Sequence, residues 1–410
     1  MLTKGWDTIS IIKQDRINAE LAASWDKVDP TFYYEFEEEG RYIKGEFDPW
    51  KIIDGGGGKL LRMELPIRSG ELNLNGTIYN LEGVSAVVSF TLSLIPKPDK
   101  TYLKTAYIHL AKDSSQITDE EGWILPITII DEKGTLGVLG SVVLDGICNY
   151  LIDHSDQLVL FFAEVDFTKE GCPDWLLPHK AKYSYLDSGY LCILAVCDDR
   201  DISSLPLDID VSGLSFEGDS YFIISSKKVL TNMILPGVYP MYQDADESDF
   251  TITDTGFKNN RELEMDEIKS GAIYYTPVVY SDGNEGSIEG SRLNVKYNGY
   301  CDMYAGIDMY WNGNVSMSVY LKDNHIISFK KESSDFDHDE DIPWYLAFLI
   351  PIVGIIVNIV VLIISDDLID EIEDNSASLD AAELNTTDWF GKTGVLNAAY
   401  LSEALVLQYS

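Results

Sequence analysis

The hydrophobic pattern changes period several times along the chain, and each change marks an element. Thr8 to Ile12 reads as a short extended piece. A helix follows from about Gln14 to Trp25, where Ile17, Leu21 and Trp25 recur every fourth position and Asp15 lies in the first turn. From about Thr31 to Leu110 the pattern is that of strands. LLRMELPI (Leu60–Ile67) and VSAVVSFTLSLI (Val84–Ile95) are rich in β-branched residues, partly alternating, and bounded by Gly, Pro or Asn. A second helix is predicted over Ser141–His154, with Val143, Ile147, Tyr150 and Leu151 on one side. Strands over Leu158–Phe167 and Tyr190–Cys197 close this part.

The same order then recurs. A helix from about Ser226 to Tyr242, interrupted by Pro236 and Pro240, leads into strand-like segments between Phe250 and Phe329. A further helix is expected beyond Pro343 to about Asp374, and the run VLNAAYLSEALVLQY ends the chain as a strand. The repetition is one of element order, with no short sequence repeat beneath it. It predicts an α+β chain of two units, residues 1–224 and 225–410, each a sheet wrapped around helices.

One stretch departs from the habits of soluble chains. Trp344 to Ile364, WYLAFLIPIVGIIVNIVVLII, holds 21 consecutive uncharged residues. A helix of that length reaches about 30 Å, enough to cross a hydrocarbon core. Its flanks argue against a stable span. Between Glu332 and Asp374 lie twelve acids and no Lys or Arg, so the basic anchor of a membrane helix is missing. The pattern turns amphipathic at Leu368, Ile369 and Ile372, and Pro351 and Gly354 predict a kink. The expected state is a helix within 344–373 that is covered by a sheet, a partner or an acyl chain. Trp344, Phe348, Ile352, Val353, Ile356, Val360 and Ile363 are the candidate residues for contact with an apolar ligand, and the same spacing fits plain core. Trp50, Trp344 and Tyr345 carry the same two readings, a lipid mouth or the interior.

Charge narrows the partners. The chain of 410 residues has 68 acids against 30 bases, a net charge of −38. Nucleic acid is excluded as a partner class, because phosphate neutralisation requires a basic face. Adhesion to anionic lipid by charge attraction is disfavoured, and a basic protein partner is favoured. Cys148, Cys172, Cys192, Cys197 and Cys301 form no C-x-x-C pair and read as reduced, mostly buried thiols. The opening MLTKGWDTISIIKQDRIN reaches Asp7 before an apolar run forms. No signal peptide is read there, so synthesis in a cytoplasm and any release by a non-classical route are expected.

Catalytic patterns fail on inspection. GGGGK (Gly55–Lys59) lacks the Gly at 53 and the Ser or Thr at 60 that a phosphate loop needs, and reads as a hairpin connection. GTLGVLG (Gly134–Gly140) has the wrong spacing for a dinucleotide fingerprint. None of the five His has another within metal-ligand spacing. DADESD (Asp244–Asp249) and DFDHDED (Asp335–Asp341) lack the EF-hand glycine and read as solvated loops in preference to calcium sites. Neither an enzyme nor a cofactor or metal site is expected.

Several segments together resemble a known family. GWDTISIIKQDRINAEL, FDPWKIIDGGGGKLLRMELPI, YFIISSKKVLTNMILPGVYPMY and GYCDMYAGIDMYW followed by the apolar run are similar to the clostridial forty-seven-kilodalton proteins encoded beside botulinum neurotoxin in OrfX-type clusters. NTTDWFGKTGVLNAAYLSEALVLQ fits more loosely, and Trp50 to Pro66 is the most diagnostic piece. The resemblance implies the tubular lipid-binding (TULIP, BPI-like) fold, in two units of strongly curved antiparallel sheet around long helices. It also implies a non-enzymatic accessory to a neurotoxin or insecticidal toxin, acting through a lipid or other apolar ligand or by assembling with OrfX-type partners. No catalytic residue is carried over.

Overall fold

The computed structural model describes residues 3–105, 107, 109–117, 122–155, 159–215, 217–270, 272–303, 307–322, 325–341, 360, 368–376 and 379–410. Antiparallel strands dominate, and three sheets organise the chain. The central sheet has six strands in the order Lys180–Leu186, Tyr190–Val196, Thr8–Lys13, Ser220–Ser225, Ala404–Tyr409 and Leu396–Leu401, so the two ends of the sequence meet in it. The strands TISIIK, YLCILAV and ALVLQY are apolar without strict alternation because both faces of this sheet are covered. Ile9, Ile11, Leu194, Ile223 and Val406 pack on one face beneath Ile202, Leu205, Ile209 and Leu214. On the other face, Ile12, Leu191 and Ile193 join one core while Phe222, Ile224, Leu405 and Leu407 join another.

The first of those cores lies against an eleven-stranded sheet built mainly from residues 31–166. Its longest strand, Leu60–Leu74, alternates as the sequence predicts, with Leu61, Met63, Leu65 and Ile67 buried. Two helices cover the inner face. Gln14–Ala23 buries Ile17 and Leu21, and Gly140–Asp153 buries Val143, Ile147, Tyr150 and Leu151, within a residue or two of the expected bounds. Trp50 is 1% exposed, with its ring 5.8 Å from Trp25 and 5.5 Å from Phe47. It belongs to the interior. The GGGGK run is the expected hairpin connection. Gly57 and Leu60 exchange hydrogen bonds of 2.9 and 3.0 Å, and Gly58 takes φ +60°, a left-handed position that glycine adopts without cost.

The second core fills a seven-stranded sheet that curls into a half-barrel. Its strands Val278–Glu289, Arg292–Met303, Ile307–Lys322 and Ile326–Asp341 are long, and RLNVKYNGYCDM alternates strictly between outward polar and inward apolar positions. Here two expectations change. DFDHDED is not a loop but the end of the strand Ile326–Asp341, paired along its length with Ile307–Lys322. Its aspartates fall on alternate positions, and Phe336 between them stacks on buried Trp311 at 6.3 Å. The helix expected from about Ser226 to Tyr242, with interruptions at Pro236 and Pro240, runs through residues 226–241 by changing type. Ser226–Val229 is α, Leu230–Ile234 is π, Leu235–Val238 is α and Tyr239–Met241 is 3₁₀. Pro236 and Pro240 sit at first-turn positions of their segments, where a missing N–H costs little. The described helices are short rather than long.

Candidate functional site

Of the seven residues expected to face an apolar ligand, Trp344, Phe348, Ile352, Val353, Ile356 and Ile363 lie outside the described residues. Val360 is inside them and is fully buried in the carboxy-terminal core with Leu368, Ile372, Leu230 and Met233. The helix Leu368–Ser376 completes this region by packing against Leu235–Val238 and the strand Ile326–Asp341. The two helices touch at Gly237, where an ideal Cβ would stand 2.8 Å from the Ile372 backbone. This corner is therefore closed by side chains and by a backbone-to-backbone approach. Among the described residues no helix is long and apolar enough to cross a membrane.

A recess does open elsewhere, at the seam between the central sheet and the amino-terminal sheet. The helix Gln14–Ala23 supplies Leu21, the segment entering the strand Phe161–Asp166 supplies Val159, Leu160 and Phe161, and the turn after Thr387–Trp389 supplies Phe390. Its volume is about 330 Å³, and a second recess of about 100 Å³ adjoins it across Glu20, Phe390 and Lys392. Leu21 and Leu160 form a buried floor, while Val159 is 39% exposed. Phe390 holds φ +56°, a strained value for a non-glycine residue, and its N–H donates to the Phe162 carbonyl at 2.7 Å. Lys27 and Lys392 stand at the rim. Glu20, nearly buried, pairs with Lys392 and with Arg16 at 2.8 Å, and Arg16 reaches Asp219 at 3.4 Å. On a strongly acidic chain this mouth is partly apolar and carries two lysines, one of them paired with Glu20. Sequence reading missed it, because its parts come from three stretches, residues 20–28, 159–161 and 390–392, that carry no shared motif.

The acidic run Asp244–Asp249 serves its own turn. The Asp246 carboxylate accepts from the Ser248 N–H at 2.8 Å and its hydroxyl at 2.6 Å. Asp249 accepts from Arg261 at 2.6 and 2.9 Å, and these hydrogen bonds hold its carboxyl below the usual range. Among the described residues no group of three or more His, Cys, Asp and Glu is arranged to hold a metal ion. All five cysteines are buried and free, and burial pushes the thiols of Cys148, Cys172, Cys197 and Cys301 up to about 12. Such thiols are poor nucleophiles.

The fold and these sites define a class: an antiparallel sheet protein with strands from near both ends of the sequence in one central sheet and, among the described residues, cores packed with apolar side chains. The chain belongs to the OrfX-like family, whose model, described as Protein OrfX2/OrfX3/P47, matches residues 3–379. It is 26% identical to protein P47 of Clostridium botulinum (strain Kyoto / Type A2) over 311 residues, covering 73% of this chain and 72% of that protein. It is 22% identical to protein OrfX3 of the same organism, covering 74% of this chain and 70% of that one. The solved structure of P47 from C. botulinum A2 superposes with a TM-score of 0.77 at 22% identity, over 100% of this chain and 98% of that one. The expected family and the sheet-rich fold are thus established.

Proposed function

We propose that this chain is a non-enzymatic accessory of a toxin gene cluster that works by assembling with other proteins, OrfX-type partners first among them. One observation carries the reading. Among the described residues Asp7 and Glu20 are the only buried carboxylates, so on a chain with a net charge of −38 the described acids lie almost wholly on the surface. A surface of that sign steers basic partners toward it and repels anionic membranes. Membership of a family named for P47 and the OrfX proteins supports the choice of partner. The two-unit TULIP-like division at 224/225 belongs to the same proposal. It fits the two separate cores that meet one face of the central sheet, with the boundary falling at the end of the strand Ser220–Ser225. The test is co-expression of the full chain with each protein encoded beside it. A complex that survives purification at low salt and loosens as salt rises supports the reading. A monodisperse monomer beside every neighbour refutes it.

The seam recess favours a second reading, an amphiphilic ligand with an apolar body against Val159, Phe161 and Phe390 and an anionic end at Lys27 and Lys392. Organic-solvent extraction of the purified protein followed by mass spectrometry decides it. A stoichiometric lipid supports this reading, and a clean extract with no liposome binding removes it.

A further inference from the structure

The outer face of the carboxy-terminal sheet carries a row of side chains that no fold requirement explains. The pairing register places Glu264, Val278, Tyr300, Tyr310 and Asp339 side by side across five adjacent strands. All five point away from the core. Tyr310 is 44% exposed, and Tyr300 and Tyr280 are half-buried. The rings of Tyr280 and Tyr300 stack with centroids 5.2 Å apart and planes at 29°. Outward positions between these rings and the far ends of the strands hold Lys296, Asn298 and Asn312, and the next outward tyrosine, Tyr320, is ten residues along from Tyr310.

The charges around this stack are of one sign. Glu262 and Glu264 stand at one end, and Asp335, Asp337 and Asp339 line the edge strand at the other. Asp302 lies directly opposite Asp308 in the next row. A facing pair of like charges opposes strand pairing, and a cation between them would reverse that effect. Partial burial, neighbouring phenols and the carboxylates of Glu262 and Asp302 push the Tyr280 hydroxyl up. Among the described residues no lysine or arginine stacks on Tyr280, Tyr300 or Tyr310. The amino-terminal sheet shows the contrast. There the exposed Tyr33–Tyr42 pair has its own cation, because Lys44 lies 5.2 Å over the Tyr42 ring while bonding Glu71 at 3.1 Å.

We infer that the face built on Tyr280, Tyr300 and Tyr310, framed by Glu264, Asp302, Asp308 and Asp339, docks a basic segment of a partner protein. Guanidinium or ammonium groups stack on the rings and pair with the carboxylates around them. This rests on the interaction reading above and adds its surface and the chemistry of its partner.

The experiment is fluorescence anisotropy of a labelled peptide alternating arginine and glycine, titrated with the full chain at an ionic strength of about 0.15 M. Two variants probe the face, one pairing Tyr300→Ser with Tyr310→Ser and one pairing Asp302→Asn with Asp308→Asn. A third, Glu37→Gln with Glu39→Gln, removes the same charge from an exposed turn of the other sheet. Each face variant is expected to weaken the peptide about tenfold, and the remote variant less than twofold. The aspartate pair keeps side-chain shape and decides the matter should the tyrosine pair lower the melting temperature. Equal weakening by the remote variant, or none by either face variant, overturns the inference. A complex with a protein encoded beside this chain that is indifferent to both face variants also overturns it, while leaving the interaction reading intact. Failure to bind any neighbour, with the peptide still mapping to this face, overturns that reading and leaves the surface standing.

Discussion

Gly237→Ala tests the crossing of two helices with a single methyl group. Gly237 lies where Leu235–Val238 crosses Leu368–Ser376. An added Cβ would stand 2.8 Å from both Cα and N of Ile372 and 2.9 Å from the Glu371 carbonyl carbon. Those are backbone atoms, so no rotamer change relieves the contact. Carbon atoms pack at about 3.5 Å, which requires the two segments to part by roughly 0.7 Å. A gap of that size forfeits contacts of Leu235, Val238, Leu368 and Ile372, all fully buried. Overpacking of this kind costs about 1–3 kcal/mol, and alanine returns up to about 1 kcal/mol of helix propensity. The net expectation is a loss of about 1–2 kcal/mol, read as a lower urea midpoint with unchanged slope by tryptophan fluorescence. Gly140→Ala is the control, because its Cβ meets only Ile129 side-chain atoms at 3.5 Å or more. It should stay within about 0.5 kcal/mol of the parent. A Gly237→Ala protein as stable as the parent, or equal destabilisation by both changes, would refute the close helix crossing.

Other expectations follow from the same geometry. Asp7 accepts from the Cys197 N–H at 2.8 Å and pairs with Arg200 at 2.9 Å from a buried position. Asp7→Ala should cost about 3 kcal/mol by leaving the buried Cys197 N–H without its acceptor and removing the buried one of the two carboxylates that hold Arg200, and Asp7→Asn roughly half of that, both by denaturant titration. Trp50→Ala should cost about 3–5 kcal/mol and Trp50→Phe clearly less, since the ring fills a space between Trp25 and Phe47; equal costs would mean that the space collapses. The buried thiols predict alkaline sensitivity. Four of them have folded pKa values near 12, above their ordinary 9.0, so the neutral form is held in the fold. Their contribution is complete below about pH 9 and is lost as pH rises toward 12, because only the unfolded chain releases those protons in that window. The denaturant midpoint should therefore be lower at about pH 10 than at about pH 7, and a thiol reagent at about pH 8 should label the native chain far more slowly than the unfolded one.

Local structure was legible where one face of an element meets water. The spacing of Ile17, Leu21 and Trp25 located the first helix, and the alternation of Leu61, Met63, Leu65 and Ile67 located the longest strand of the amino-terminal sheet. The central sheet was not legible as a unit, because strands buried on both faces lose their alternation. The pairing of Thr8–Lys13 with Tyr190–Val196 and Ser220–Ser225 also spans distances that no local pattern encodes. At DFDHDED the charges concealed a period of two. Phe336, inward between outward aspartates, was the available sign of a strand. Tyr300 and Tyr310 were readable in the same way, as aromatics at outward positions of alternating strands. Of the expected ligand face only Val360 is described, and it lies in the core. The seam recess depends on Glu20, Phe161 and Phe390 meeting from three distant elements, so it becomes visible only in the fold.

Recruitment of basic protein partners by the acidic surface is the proposal on which the functional reading rests. Sedimentation velocity of the purified full chain, mixed with each protein encoded beside it across a salt series, measures that directly. At least one complex is expected, with an affinity that falls steadily as ionic strength rises. A chain that sediments alone at every salt concentration, or a complex indifferent to salt, would contradict it.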